Sequence, residues 1–75
     1  MNGYVVVFEG DEESGCSSYS PDLPGVVAAG ETLQETQELM LGAMIAHIGY
    51  LCESGRSVPD PVTNARVAIV DVSAA

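Results

Sequence analysis

Seventy-five residues carry eleven Asp and Glu against two Arg, Arg56 and Arg66, for a formal charge of −9. That charge opposes phosphate backbones, whose binding depends on Lys and Arg, and it draws in basic surfaces. A chain this short makes one domain with a thin core, burying only about 60% of the surface its unfolded form exposes, so burial against a second copy or a partner is favourable.

A hydrophobic fraction of 47% argues against disorder. No apolar run approaches the roughly 20 residues that span a bilayer, and the start lacks the basic region of a signal peptide. Cys16 and Cys52 are too few for a disulfide framework and lack metal-ligand spacing, which predicts reduced thiols in a cytoplasmic protein.

Residues 4–9, Tyr-Val-Val-Val-Phe-Glu, are a β-branched and aromatic run bounded by Gly3 and Gly10, which predicts a strand buried on both faces. Residues 10–15 are polar and Gly-flanked, as a hairpin turn requires. Residues 16–20 are the returning strand, with a weaker pattern. Pro21-Asp22-Leu23-Pro24-Gly25 predicts a rigid loop, with two prolines fixing φ and Gly25 free to take a positive φ. For an exposed Leu23, Gly25→Val would then cost more than Leu23→Ala. Residues 26–29 predict a third strand, ended by Gly30.

Thr32-Leu33-Gln34-Glu35 is a capping box, in which the Thr32 hydroxyl accepts from the Glu35 N–H and the Glu35 carboxylate accepts from the Thr32 N–H. It opens a helix expected from Leu33 to about Glu53, with Gly55 as its stop. Leu33, Met40, Leu41, Met44, Ile48 and Leu51, with Gln37 among them, form a stripe expected to pack on the sheet. A second stripe, Leu39, Ala43, Ala46 and Tyr50, has the 4-3-4 spacing of a packed helix seam. Gly42 and Gly49 beside it would admit another backbone. One sheet cannot cover both sides of a helix, so this second stripe is the expected oligomer interface; the plain alternative is a solvated face that tolerates Ala and one Tyr. After Gly55, Pro59 and Pro61 make an extended connector, and residues 66–72 alternate and then run apolar as a final strand paired back into the sheet. The expected order is β-β-β-α-β, an α+β fold with one helix on one face of a small antiparallel sheet and no separate second domain.

This order of motifs resembles a known family. Phe8-Glu9 ends a first strand and an acidic hairpin follows. Ser20-Pro21-Asp22-Leu23-Pro24-Gly25 precedes Gly30-Glu31-Thr32-Leu33-Gln34-Glu35 at a helix start, and Val58-Pro59-Asp60-Pro61 follows the helix exit near Gly55-Arg56. The combination is similar to the HicB-like antitoxins, across residues 4–70. The resemblance implies a truncated ribonuclease H-like fold, homo-oligomers, and an antitoxin that binds and blocks a small basic HicA-type toxin that cleaves mRNA. Many members add a C-terminal DNA-binding module; none follows Ala75 here, so direct promoter binding is not expected. Cys16 and Ser17 stand where the family more often has an aromatic and a small residue, and Gln37 where an apolar residue or Ala is common.

Catalytic chemistry finds little footing. Asp11, Glu12 and Glu13 crowd one turn and read as a solvated charge run rather than a metal site. Asp22 and Glu31 flank the third strand, but a carboxylate pair without a third ligand holds metal weakly, and Asp22 fits an Asx-type turn within its own loop. His47, the single histidine, sits on the flank of the apolar stripe as a boundary residue. Cys52 lies near the helix C-terminus, where the dipole disfavours a thiolate. No enzyme, cofactor, metal, membrane or direct nucleic-acid role is expected. The expected contacts with a basic toxin are Asp11, Glu12 and Glu13 on the hairpin and Asp22 in the rigid loop. The alternative to an antitoxin is an orphan oligomeric module without a toxin; a metal-dependent hydrolase would rest on fold analogy alone.

Overall fold

In the computed structural model, which describes residues 3–74, three antiparallel strands precede one long helix. They are β1 (Val7–Asp11), β2 (Gly15–Tyr19) and β3 (Val27–Gly30), in the spatial order β1-β2-β3, followed by α1 (Leu33–Glu53). The register places Phe8 opposite Ser18 and Ser18 opposite Ala28, while Val7, Tyr19 and Val27 form the neighbouring row on the other face. Cys16, Ser18 and Ser20 all point inward and are buried. The two serines are satisfied: the Ser18 hydroxyl donates to the Ala28 carbonyl at 3.3 Å and the Ser20 hydroxyl to the Val5 carbonyl at 2.7 Å. β2 therefore meets the helix with small side chains.

Helix α1 begins and ends as its sequence dictates. Thr32 is the N-cap, and its hydroxyl accepts from the Glu35 N–H at 3.1 Å. The Glu35 carboxylate, however, accepts from the Glu31 N–H at 3.2 Å rather than from Thr32, so the box closes one residue upstream. At the other end Gly55, at φ +71°, reverses the chain. The Arg56 N–H donates to the Leu51 carbonyl at 2.9 Å and the Gly55 N–H to that of Cys52 at 3.2 Å, satisfying orphan carbonyls in a Schellman motif.

Leu23, Val26 and Met40 form the core, with Tyr4, Val6, Ala28, Ala43, Met44 and Ile48 packed against it. Leu23 is fully buried, so the condition of an exposed Leu23 is not met and this loop residue belongs to the core. Gly25 has the expected positive φ, +90°, and open space around its missing Cβ. The buried face of α1 is the row Thr36, Met40, Ala43, Met44, His47, Ile48 and Leu51. Leu33, Gln37 and Leu41 of the expected stripe fall outside it. Leu41 lies a quarter-turn away and is exposed, and Leu33 sits on the first turn, past the cover of the strands. Thr36 replaces them, with its hydroxyl bonded to the Thr32 carbonyl at 2.7 Å.

Residues 66–72 are not a strand. Past the helix the chain runs as an extended strap, and a single 3₁₀ turn, Val72–Ala74, is its only regular structure among the described residues. The strap is held at two points. The Tyr4 hydroxyl donates to the Pro59 carbonyl, and the Asp22 carboxylate receives the Val62 and Thr63 N–H groups. Beyond Thr63 the chain leaves the domain, so that with this tail it spans 51 × 27 × 20 Å and has a radius of gyration of 14.8 Å. A compact chain of this length would have about 11 Å.

Candidate protein-binding site

The β-ladder brings two acidic segments together. Gly10 pairs with Cys16 and Cys16 with Gly30, so the tip of the β1–β2 hairpin lies beside the turn that leads into α1. Glu9, Asp11, Glu12 and Glu13 from the hairpin thus share one end of the sheet with Glu31 and Glu35, and all six are exposed. An open groove of about 570 Å³ runs between the two segments, lined by Glu9, Ser14, Gly15, Gly30, Glu31 and Glu35 among others. A smaller hollow of about 360 Å³ adjoins it, floored by Phe8, Cys16 and Leu33 and rimmed by Glu9, Asp11 and Glu12. An apolar floor inside an acidic rim suits a basic surface that carries an apolar side chain. Neither Arg relieves this charge, since Arg56 follows the far end of α1 and Arg66 lies on the strap.

The four acids expected to contact a partner separate into three roles. Glu12 and Glu13 are exposed at the tip. Asp11 builds the turn: one carboxylate oxygen accepts from the Ser14 N–H at 2.8 Å, the Ser14 hydroxyl at 2.8 Å and the Glu13 N–H at 3.0 Å. The bonds from Ser14 hold its carboxyl below the usual carboxylate range. Asp22 lies at the opposite end of the hairpin, beyond the Val7–Tyr19 pair, which the strand rise places about 13 Å from the Asp11–Gly15 pair. Its Oδ2 accepts from the Thr63 N–H at 2.8 Å and the Val62 N–H at 3.0 Å, while Oδ1 accepts from the Thr63 hydroxyl at 2.8 Å. Asp22 therefore closes no Asx turn of its own loop; it clamps the strap to the domain. It also stands at the end of β3 away from Glu31, so the two do not face each other.

Of the helix stripe expected at an oligomer interface, Leu39, Ala46 and Tyr50 are exposed, whereas Ala43 turns toward the core cluster. Leu41 and Ile45 are exposed on the other flank. Cys16 is buried and Cys52 exposed, both as free thiols. Among the described residues no three His, Cys, Asp or Glu are grouped so as to hold a metal ion, and no helix is long and apolar enough to cross a membrane.

The Asp22 clamp has a pH signature. The bonds from Thr63, backbone first, hold the Asp22 carboxyl below its usual range. A carboxyl lowered by folding stabilises above its unfolded pKa, and that contribution is lost as pH falls through the folded value. Hydrogen exchange at Val62 and Thr63, corrected for intrinsic rates, should show protection at neutral pH that starts to fall below about pH 4 and is lost as pH drops through the lowered value of the folded carboxyl, while helix amides remain protected. Asp22→Ala, which removes the acceptor altogether, should abolish the protection at every pH. Equal protection in the variant would remove Asp22 from this role.

Three antiparallel strands under one helix, with the acidic residues gathered at one end, define a small acidic module of the α+β class. The chain belongs to the HicB-like antitoxins: residues 4–71 match the family described as HicB_like antitoxin of bacterial toxin-antitoxin system. No curated protein matches it significantly. Membership points to an antitoxin role, and with it to a toxin partner and a non-catalytic protein.

Proposed function

We propose that the protein is a cytoplasmic antitoxin that neutralises a small basic HicA-type, mRNA-cleaving toxin by binding it directly, as a homo-oligomer and without catalysis or cofactor of its own. The observation that carries this reading is the acidic end, where Glu9, Asp11 and Glu12 rim an apolar hollow and Glu31 and Glu35 line the groove beside it. Single exposed carboxylates contribute little to affinity, each well under about 1 kcal/mol. Their summed field raises the encounter rate with a cationic partner, and salt weakens it. Glu31 and Glu35 join the hairpin acids in this role, and Asp22 leaves it.

Kinetics test the reading. Asp11 must be kept, because its loss would open the turn. Changing Glu12, Glu13 and Glu31 together to Gln removes charge where no backbone bond depends on it. Association with the toxin should slow on the order of threefold or more at low salt. Dissociation should change less, and the difference should shrink as ionic strength rises past physiological values. An association rate equal to wild type at low salt would place the toxin elsewhere. If no small basic protein binds at all, the orphan-module reading replaces the antitoxin.

A further inference from the structure

Residues 65–71 hold a β-branched run in open solvent. Val67, Ile69 and Val70 are 91%, 100% and 76% exposed. Single apolar side chains on a surface are ordinary, but a contiguous extended run with free backbone groups is a strand in want of a neighbour. Among the described residues, no backbone hydrogen bond joins residues 64–70 to the domain.

The sheet has the matching deficit. β1 is an edge strand, and residues 4–6 extend that edge toward the N-terminus. The helix lies over β3 and β2 and leaves β1 thinly covered. We infer that residues 65–71 pair as a fourth strand with the outer edge of β1 in a second copy, which returns its own tail to give a strand-exchanged, two-fold dimer.

Three observations favour a second copy over the chain's own sheet or another partner. The strap is already pinned at Pro59 by Tyr4 and at Thr63 by Asp22, and its remainder points away from the domain: the longest dimension is 51 Å, whereas helix α1 is only about 31 Å long. Reciprocal exchange keeps both anchors and covers both edges, and a two-fold contact closes where an open edge would recruit copies without limit. The edge lengths agree, because residues 4–6 with β1 match the tail, whereas β3 has only four residues. Charge agrees as well. Arg66 and Asp71 cancel, so the tail brings no net charge to a copy that carries −9. A basic toxin is drawn instead to the acidic end.

The inference rests on the homo-oligomer part of the function proposed above and not on toxin binding. Sedimentation equilibrium of the full chain at high micromolar concentration tests it, with two variants. Wild type should have at least twice the mass of one chain. Ile69→Asp should halve that mass with circular dichroism unchanged, since Ile69 contacts nothing in its own domain. Ala46→Glu, on the outer face of α1, should leave the mass as in wild type. In a dimer mixed from differently labelled copies, filtered NOEs should join Ile69 to β1 of the other copy. A monomeric wild type overturns both the exchange and the oligomer. An Ile69→Asp dimer, a mass lost on Ala46→Glu, or NOEs confined to one chain overturns the exchange alone.

Discussion

Leu23→Ala should lower the unfolding free energy by about 2–5 kcal/mol, because it deletes a fully buried side chain and leaves a cavity between loop and helix. A domain of this size has a total stability of about 4–11 kcal/mol, so the loss takes a large share of it. Leu23 is held from both sides. Its N–H donates to the Ser20 carbonyl at 3.2 Å, and its carbonyl accepts from the Val26 N–H at 3.3 Å, so the loop cannot collapse into the space without breaking its own turns. Gly25→Ala, two residues on, should cost only about 1 kcal/mol, the strain of a side chain at positive φ with no neighbour to strike. Urea unfolding of the two variants decides the order. A smaller loss for Leu23→Ala than for Gly25→Ala would contradict the packing described here.

Gly10→Ala should be the most damaging glycine substitution, at about 3 kcal/mol or more. Gly10 has φ +100°, and a Cβ there would run into the Gly15 carbonyl oxygen, a backbone atom that cannot swing aside. Relief requires the hairpin to open at Asp11–Gly15, which moves the acidic tip and breaks the turn that Asp11 holds. Stability and toxin association should therefore fall together. Gly42→Ala is the contrast: it lies in the exposed interior of α1 with nothing near, and should stabilise by about 1 kcal/mol through helix propensity. Denaturant midpoints of the two variants should move in opposite directions. A Gly10→Ala midpoint equal to wild type would refute the assigned turn geometry.

Helix α1 was readable because its signals are local: the Thr32 cap, the Gly55 stop and the periodic run between them. β2 is faint because its inward residues are Cys16, Ser18 and Ser20, and the burial of the two serines rests on hydrogen bonds to the Ala28 and Val5 carbonyls that hydrophobic alternation cannot foresee. The sequence leaves the burial of Leu23 open, because loop residues are usually exposed, and only its packing against Met40 of α1 decides it. Residues 66–72 have the composition of a strand, but strand formation needs an edge to pair with, and the strap delivers them away from their own sheet. The candidate site divides in the same way. Glu12 and Glu13 are evident from composition, whereas their union with Glu31 and Glu35 follows from the Gly10–Cys16–Gly30 ladder. Asp22 reads locally as an Asx turn of its own loop and a toxin contact, because its actual partners, Val62 and Thr63, lie some forty residues away.

The proposed antitoxin should silence a basic RNA-cleaving toxin by occupying it. The product of a short, basic open reading frame beside this one is the toxin to test, co-expressed with the chain and then assayed alone and with increasing amounts of it on a labelled transcript. The two proteins should co-purify, and cleavage should fall toward zero as the chain reaches stoichiometry with the toxin. Cleavage that continues at full rate in an excess of folded chain, with no complex recovered, would contradict the account.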